Sequence, residues 1–263
     1  MAQIHAARTA LLVVVLGMLG AHAAAAAERS AKKAAAIPSM PDDFSGTWTH
    51  DVMGGVNPGR AKPDDKVFTM TDGTVIPLLP QAEKIYRERV AMSMTEHAFA
   101  NTSSRCLPIG TPGNMMGAPY PVQIVQRPEF IAILFEEGWQ FRAVFMNRKH
   151  PDELIPSFMG HSTGHWEGKT LVIDTVSMRE ETTLNFTGLP HSTQMHVVER
   201  IKRLGPDRLE DVIEVTDPQT YSRPFTFTSI LNKSDEDLIE YICENSKVQV
   251  TPDGRQTYGD SPK

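Results

Sequence analysis

The side chains of this chain that can do chemistry gather in its C-terminal half, where histidines and an arginine interrupt otherwise apolar runs. A strand that faces only hydrocarbon gains nothing from pointing imidazole or guanidinium inward, so such residues mark a polar face. On the two-residue period of a strand, His161, Thr163 and His165 share one face, with Ser162 and Trp166 on the other. His196, Val198 and Arg200 share a face opposite Met195, Val197 and Glu199, and Gln140, Arg142, Val144 and Met146 share another. If these imidazoles and the guanidinium point into one hollow, His161 and His191 can exchange a proton there near neutral pH without prior tuning. Arg142 would then hold an anionic or enolate oxygen. Trp139, Trp166 and His196 would complete the wall around a ligand.

Other chemistries fit these residues less well. His161 and His165 are four residues apart on a strand, about 13 Å between Cα atoms, too far to share a metal with bonds near ~2.1 Å. One of them could still join His191 or His196 from a neighbouring strand, but those two differ by an odd number and fall on opposite faces of a regular strand unless His191 lies in the turn after Pro190, so the expectation is no metal and no cofactor. Gly160-His161-Ser162-Thr163-Gly164 satisfies G-x-S-x-G as a string, but a nucleophile elbow needs a strand-to-helix turn and this string sits among strands. Neither a phosphate loop nor a dinucleotide fingerprint occurs.

The elements that must position these residues are mostly strands. From Val122 onward, short apolar or alternating runs are broken by turn residues every 8 to 12 positions or so, the texture of an all-β meander. Three hairpins are predicted: Phe130–Phe135 with Trp139–Met146, Gly160–Trp166 with Thr170–Val176, and Met195–Arg203 with Arg208–Thr216. Strands over Arg223–Leu231 and Asp237–Cys243, with an opening strand at Phe44–Thr49, bring the total to about nine, near the roughly eight that close a barrel around one small ligand. Pro80 to His97 carries the single helical pattern, with Ala82, Ile85, Val90 and Met94 near helical spacing. The glycines and prolines between Gly54 and Pro63 exclude a regular element there.

The N-terminus reads as a leader over residues 1–27: Arg8 ahead of an apolar run, Thr9–Gly20, then Ala21-His22-Ala23 and further alanines of the kind signal peptidase cuts after. That run is too short to span a bilayer, so stable membrane insertion is not expected and the mature chain is placed in the periplasm or outside the cell. Residues 28–41 read as a tether, 42–250 as one barrel domain and 251–263 as a disordered tail. A net charge of −6 without a basic run argues against nucleic acid as partner. Two cysteines in a chain bound for an oxidising compartment predict a Cys106–Cys243 disulfide. Closing so long a loop is worth about 4 to 5 kcal/mol by chain entropy.

Several blocks resemble, in order, a large family of exported bacterial proteins without an assigned activity. They are Phe44-Ser45-Gly46-Thr47-Trp48, Arg105-Cys106-Leu107-Pro108, Tyr120 to Gln126, Gly160 to Thr175 with its Trp166-Glu167-Gly168 turn, His191-Ser192, His196 to Arg200, Asp217-Pro218 and Glu240 to Cys243. The family commonly follows its last cysteine with His-Glu-Gly-Asn, where this chain has Glu244-Asn245-Ser246. Gly46-Thr47-Trp48 is similar to the first strand of lipocalins, in which the Trp closes one end of a ligand-holding barrel. The expectation is therefore a mainly β, lipocalin-like antiparallel barrel that binds a small, mostly apolar molecule. Its alternatives are a cofactorless lyase, isomerase or hydrolase in the same cavity, and an envelope interaction protein with a filled barrel.

Overall fold

A computed structural model describes residues 40–51, 61–62, 64–71, 73–95, 102–116, 120–241, 243, 248–250 and 256–258. The predicted leader, most of the tether and the Gly54–Gly59 loop lie outside these residues. The folded part is a closed barrel of nine strands: β1 Gly46–His50, β2 Val122–Arg127, β3 Phe130–Phe135, β4 Gln140–Met146, β5 His161–Glu167, β6 Thr170–Val176, β7 His196–Gly205, β8 Arg208–Thr216 and β9 Phe225–Ser234. Each strand pairs with its neighbour in sequence, and β1 closes the ring against β9.

The predicted hairpins are β3–β4, β5–β6 and β7–β8. Their turns follow local chemistry. Gly168 opens the two-residue β5–β6 loop at φ 61°, a left-handed conformation that a side chain resists. Pro128-Glu129 joins β2 to β3, with proline preset for the first turn position.

Two expectations need correction. The meander is not antiparallel throughout: β4 and β5 run parallel over Val144–Ser162, Phe145–Thr163 and Met146–Gly164. The connection from Asn147 to Gly160 carries the chain back to the end at which β4 began, so the next strand runs the same way. Gly164 lets this seam close, because a Cβ there would lie 2.9 Å from Met146 Sδ and from Val144 Cγ1. Asp237–Tyr241 is not a strand; it follows β9 as an irregular segment. Beyond it, β10 Val248–Val250 pairs antiparallel with β11 Gln256–Tyr258.

Inward side chains of all nine strands, among them Trp48, Ile124, Ile133, Val144, Ile173 and Phe227, join one packed apolar cluster. Trp48 closes one end, donating from its indole Nε1 to Phe44 O at 2.9 Å, with the Arg203 guanidinium 5.9 Å from its ring. The helix α1, Pro80–Thr95, buries Ala82, Tyr86 and Val90 at four-residue spacing. Tyr86 Oη lies 2.8 Å from Thr187 Oγ1 and accepts from Asn185 Nδ2, which docks α1 on the β6–β7 connection. The disulfide joins Cys106 to Cys243. No described helix is long and apolar enough to cross a membrane.

Candidate functional site

Three groups of polar or exposed residues stand out, and the faces predicted to share a hollow are divided among them. Inside the barrel, six consecutive strands each turn one polar side chain inward: Arg142, Ser162, Thr175, Glu199, Asp211 and Ser229. Arg142, 1% exposed, donates from Nε to Ser162 Oγ at 2.8 Å, from Nη1 to Glu199 Oε1 at 2.8 Å, and from Nη2 to Glu199 Oε2 and Thr175 Oγ1. A bidentate carboxylate already neutralises the guanidinium, so Arg142 is a cross-barrel strut rather than a waiting anion receptor. Asp211 is fully buried, with the Glu199 side chain as its hydrogen-bonding neighbour. Burial, then the Glu199 charge, push its carboxyl well above the ordinary 3.8.

The imidazoles lie on the other side of the wall. Because Ser162 points inward, the two-residue period turns His161, Thr163 and His165 outward. There His161 meets a partner that strand periodicity does not predict: His150, from the β4–β5 connection, with the two Nδ1 atoms 2.7 Å apart. His150 Nε2 lies 2.9 Å from Asp174 Oδ1, and His196 Nε2 lies 2.9 Å from Asp174 Oδ2. Hydrogen bonds from His196, ahead of those from His150, hold the Asp174 carboxyl below 3.8 against the opposing cost of burial. The Asp174 bond raises the His196 ring above 6.5. Burial first, then the neighbouring His150, lower His161. His165 stands apart, exposed and 3.3 Å from Glu167. Among the described residues no group of three or more His, Cys, Asp or Glu is arranged to hold a metal.

His191 joins neither group. It is 7% exposed, its Nδ1 donates to Ser192 O at 2.8 Å, and its Nε2 lies 2.6 Å from Thr182 Oγ1. Both ring nitrogens are engaged and it shares no partner with His161, so the two do not form the pair expected from sequence. Trp166 likewise packs against the core, 5.4 Å from the Phe44 ring, instead of walling a lumen.

Trp139 is different. The Glu136–Trp139 turn passes through Gly138 at φ 70° and Trp139 at φ 51°, which leaves the indole 58% exposed. It borders an open groove of about 320 Å³ on the outer face of β2–β4. The floor is a cross-strand row, Gln123 beside Leu134 beside Phe141, the last 62% exposed. Asp237 and Leu238 form the far wall. They are held by Ile239 N donating to Glu136 Oε2 at 2.9 Å, by the Tyr120–Tyr241 ring contact and by the disulfide at Cys243. A second cavity, about 10 Å³ beside Ile109 and Asn114, is no larger than one water needs.

No family model matches the chain, and no curated protein does. Among solved structures, a "REP1-NXSQ fatty acid transporter" aligns with 74% of this chain and 98% of its own length, at 10% identity and a TM-score of 0.33. A likeness at that level transfers no function.

Proposed function

We propose that this chain is an exported binding protein for a small, mostly apolar molecule, and that the groove on the outer face of β2–β4 is its site. One observation carries the reading: Trp139 and Phe141, both lining a groove of about 320 Å³, leave more than half of their surface to water. Two large rings so placed are costly to hydrate unless something covers them. The volume falls in the range of small-molecule pockets, which pair apolar walls with a few polar groups that fix orientation. Here those groups are Gln123, Gln140 and the Asp237 carboxylate. An acidic rim disfavours a free carboxylate and favours a neutral or cationic ligand carrying an aromatic or alicyclic body. The leader-like N-terminus, the disulfide and the resemblance of its sequence blocks to exported bacterial proteins support export.

N-phenyl-1-naphthylamine, a neutral aromatic probe, tests this. Saturable enhancement of its fluorescence is expected, with affinity falling at least tenfold in Trp139→Ala/Phe141→Ala, since each ring contributes on the order of 1 to 2 kcal/mol of contact. Equal binding by that double variant would move the site elsewhere.

A further inference from the structure

We propose that His161, His150 and Asp174 form a proton-relay triad on the outer wall of the barrel, a general-base site for hydrolysis of activated carboxylic esters with water as the nucleophile. The hydrogen-bond sequence fixes the tautomers. Asp174 Oδ1 is an acceptor, so His150 carries its proton on Nε2 and presents a lone pair at Nδ1. Two nitrogens 2.7 Å apart hold one proton between them, so His161 supplies it from its own Nδ1. The lone pair of His161 is then at Nε2, which has no partner among the described residues. Stacking on Phe145, with centroids 5.3 Å apart and planes 21° off parallel, holds the ring in place.

This is the order of parts in a nucleophile-activating triad, a base oriented by a second group that a third in turn orients, with water in place of a serine. As the water oxygen bonds to the carbonyl carbon, the water proton passes to His161 Nε2 and the His161 Nδ1 proton passes to His150 Nδ1. The positive charge comes to rest on His150, beside the Asp174 carboxylate. When the carbon–oxygen bond to the alcohol breaks, the leaving oxygen takes the proton from Nε2 and His150 returns its proton to His161 Nδ1. Ester and water become acid and alcohol with no other reactant. The Arg148 guanidinium lies 5.6 Å from the centre of the same Phe145 ring, and is the candidate cation for the developing oxyanion.

The electrostatics agree with this assignment. His161, lowered by burial and by His150, is unprotonated in neutral solution, as a base must be. Asp174, held low by two imidazoles, is ionised. His196 is a positioning residue: it anchors the second Asp174 oxygen and is itself raised by Asp174, with a smaller contribution from Glu214 on β8. The site does not depend on the groove reading. Its polar groups stand on β5, β6, β7 and the β4–β5 connection, with Phe145 of β4 stacked beneath His161, whereas the groove is lined by other residues of β2–β4 and by the C-terminal segment.

The test is the rate of p-nitrophenyl acetate hydrolysis as a function of pH, with His165→Gln as control because that exposed imidazole lies outside the triad. His161→Gln is expected to lower the rate at least tenfold and His165→Gln to leave it unchanged. Asp174→Asn is expected to lower the plateau and move the midpoint of the pH profile, which a merely structural role would not do. Equal small losses in His161→Gln and His165→Gln would overturn the proposal, since the rings would then act as independent surface bases. A second readout needs no activity: nitrogen-15 shifts should place the His161 proton on Nδ1 and the His150 proton on Nε2. Any other tautomer pair overturns the relay.

Discussion

Arg142, Glu199 and Asp211 place one cationic and two acidic groups in a space that water does not reach. If both acids ionised, the interior would hold an uncompensated negative charge, which is the reason burial and Glu199 raise the Asp211 carboxyl. The native pKa lies above the unfolded one, so this contribution is complete below pH 3.8 and is lost as pH rises through the native value. In that window the wild type should lose about 1.4 kcal/mol per pH unit relative to Asp211→Asn, whose amide keeps the shape without the charge. Urea unfolding of both proteins at successive pH values measures it, and parallel stability curves would rule it out. The sequence shows part of this arrangement. Periodicity alone sets Glu199 opposite His196 and Arg200, and sets Arg142 on the face of Val144 and Met146, as found. It does not say which face turns inward, because apolar side chains occur on both: Phe141 and Phe145 lie outside, Val144 and Met146 inside. His161 and His196 were therefore legible as sharing polar faces but not as outward. His150 was not legible at all, since it lies in a connection that carries no strand period.

At the scale of elements, turn chemistry locates the predicted hairpins to within a residue or two: β3–β4 at Gly138, β5–β6 at Gly168, β7–β8 at Pro206-Asp207. What local chemistry cannot report is a pairing between strands joined by a long connection, and the parallel β4–β5 seam is of that kind. The segment after β9 failed for a different reason. Leu238-Ile239 and Tyr241-Ile242 are apolar enough for a strand, but the ring is already closed by β1 and β9, so no edge is left to pair. The segment serves instead as the groove's far wall, tied at Cys243. Cys106→Ser/Cys243→Ser should therefore do two things. Removing a crosslink between residues 137 apart should cost up to about 5 kcal/mol in the chain-entropy model. It should also weaken N-phenyl-1-naphthylamine binding several-fold, because Asp237 and Leu238 lose their far anchor. A variant that is less stable but binds the probe with unchanged affinity would separate the crosslink from the groove.

Over the whole molecule, pairing around the ring is uneven. β7 and β8 are joined along most of their length, from His196–Thr216 to Gly205–Arg208, and β8 and β9 almost as far. Two seams are short: β1–β2, from Gly46–Ile124 to Trp48–Val122, and β4–β5, from Val144–Ser162 to Met146–Gly164. They divide the barrel into a three-strand panel, β2–β4, which carries the groove, and a six-strand panel, β5–β9 with β1, which carries most of the imidazole cluster. Few backbone bonds cross between the panels, so side chains must hold them together, and Arg142 is placed to do so. It stands on β4 and binds Ser162, Thr175 and Glu199 on β5, β6 and β7. Truncating one member of a buried, hydrogen-bonded ion pair leaves the other charge unpaired, typically a cost of 3 to 5 kcal/mol. Much of that cost should fall on panel separation, since the strut spans the short seam. In native-state hydrogen exchange, the amides of β2–β4 should open together, ahead of those in β7–β9, and Arg142→Met should widen the gap by accelerating the first group more than the second. Exchange that speeds up equally in all nine strands would mean that the barrel opens as one unit and that Arg142 stabilises it globally. Ligand binding to the groove panel should then be insensitive to the strut; with two panels, Arg142→Met should weaken it.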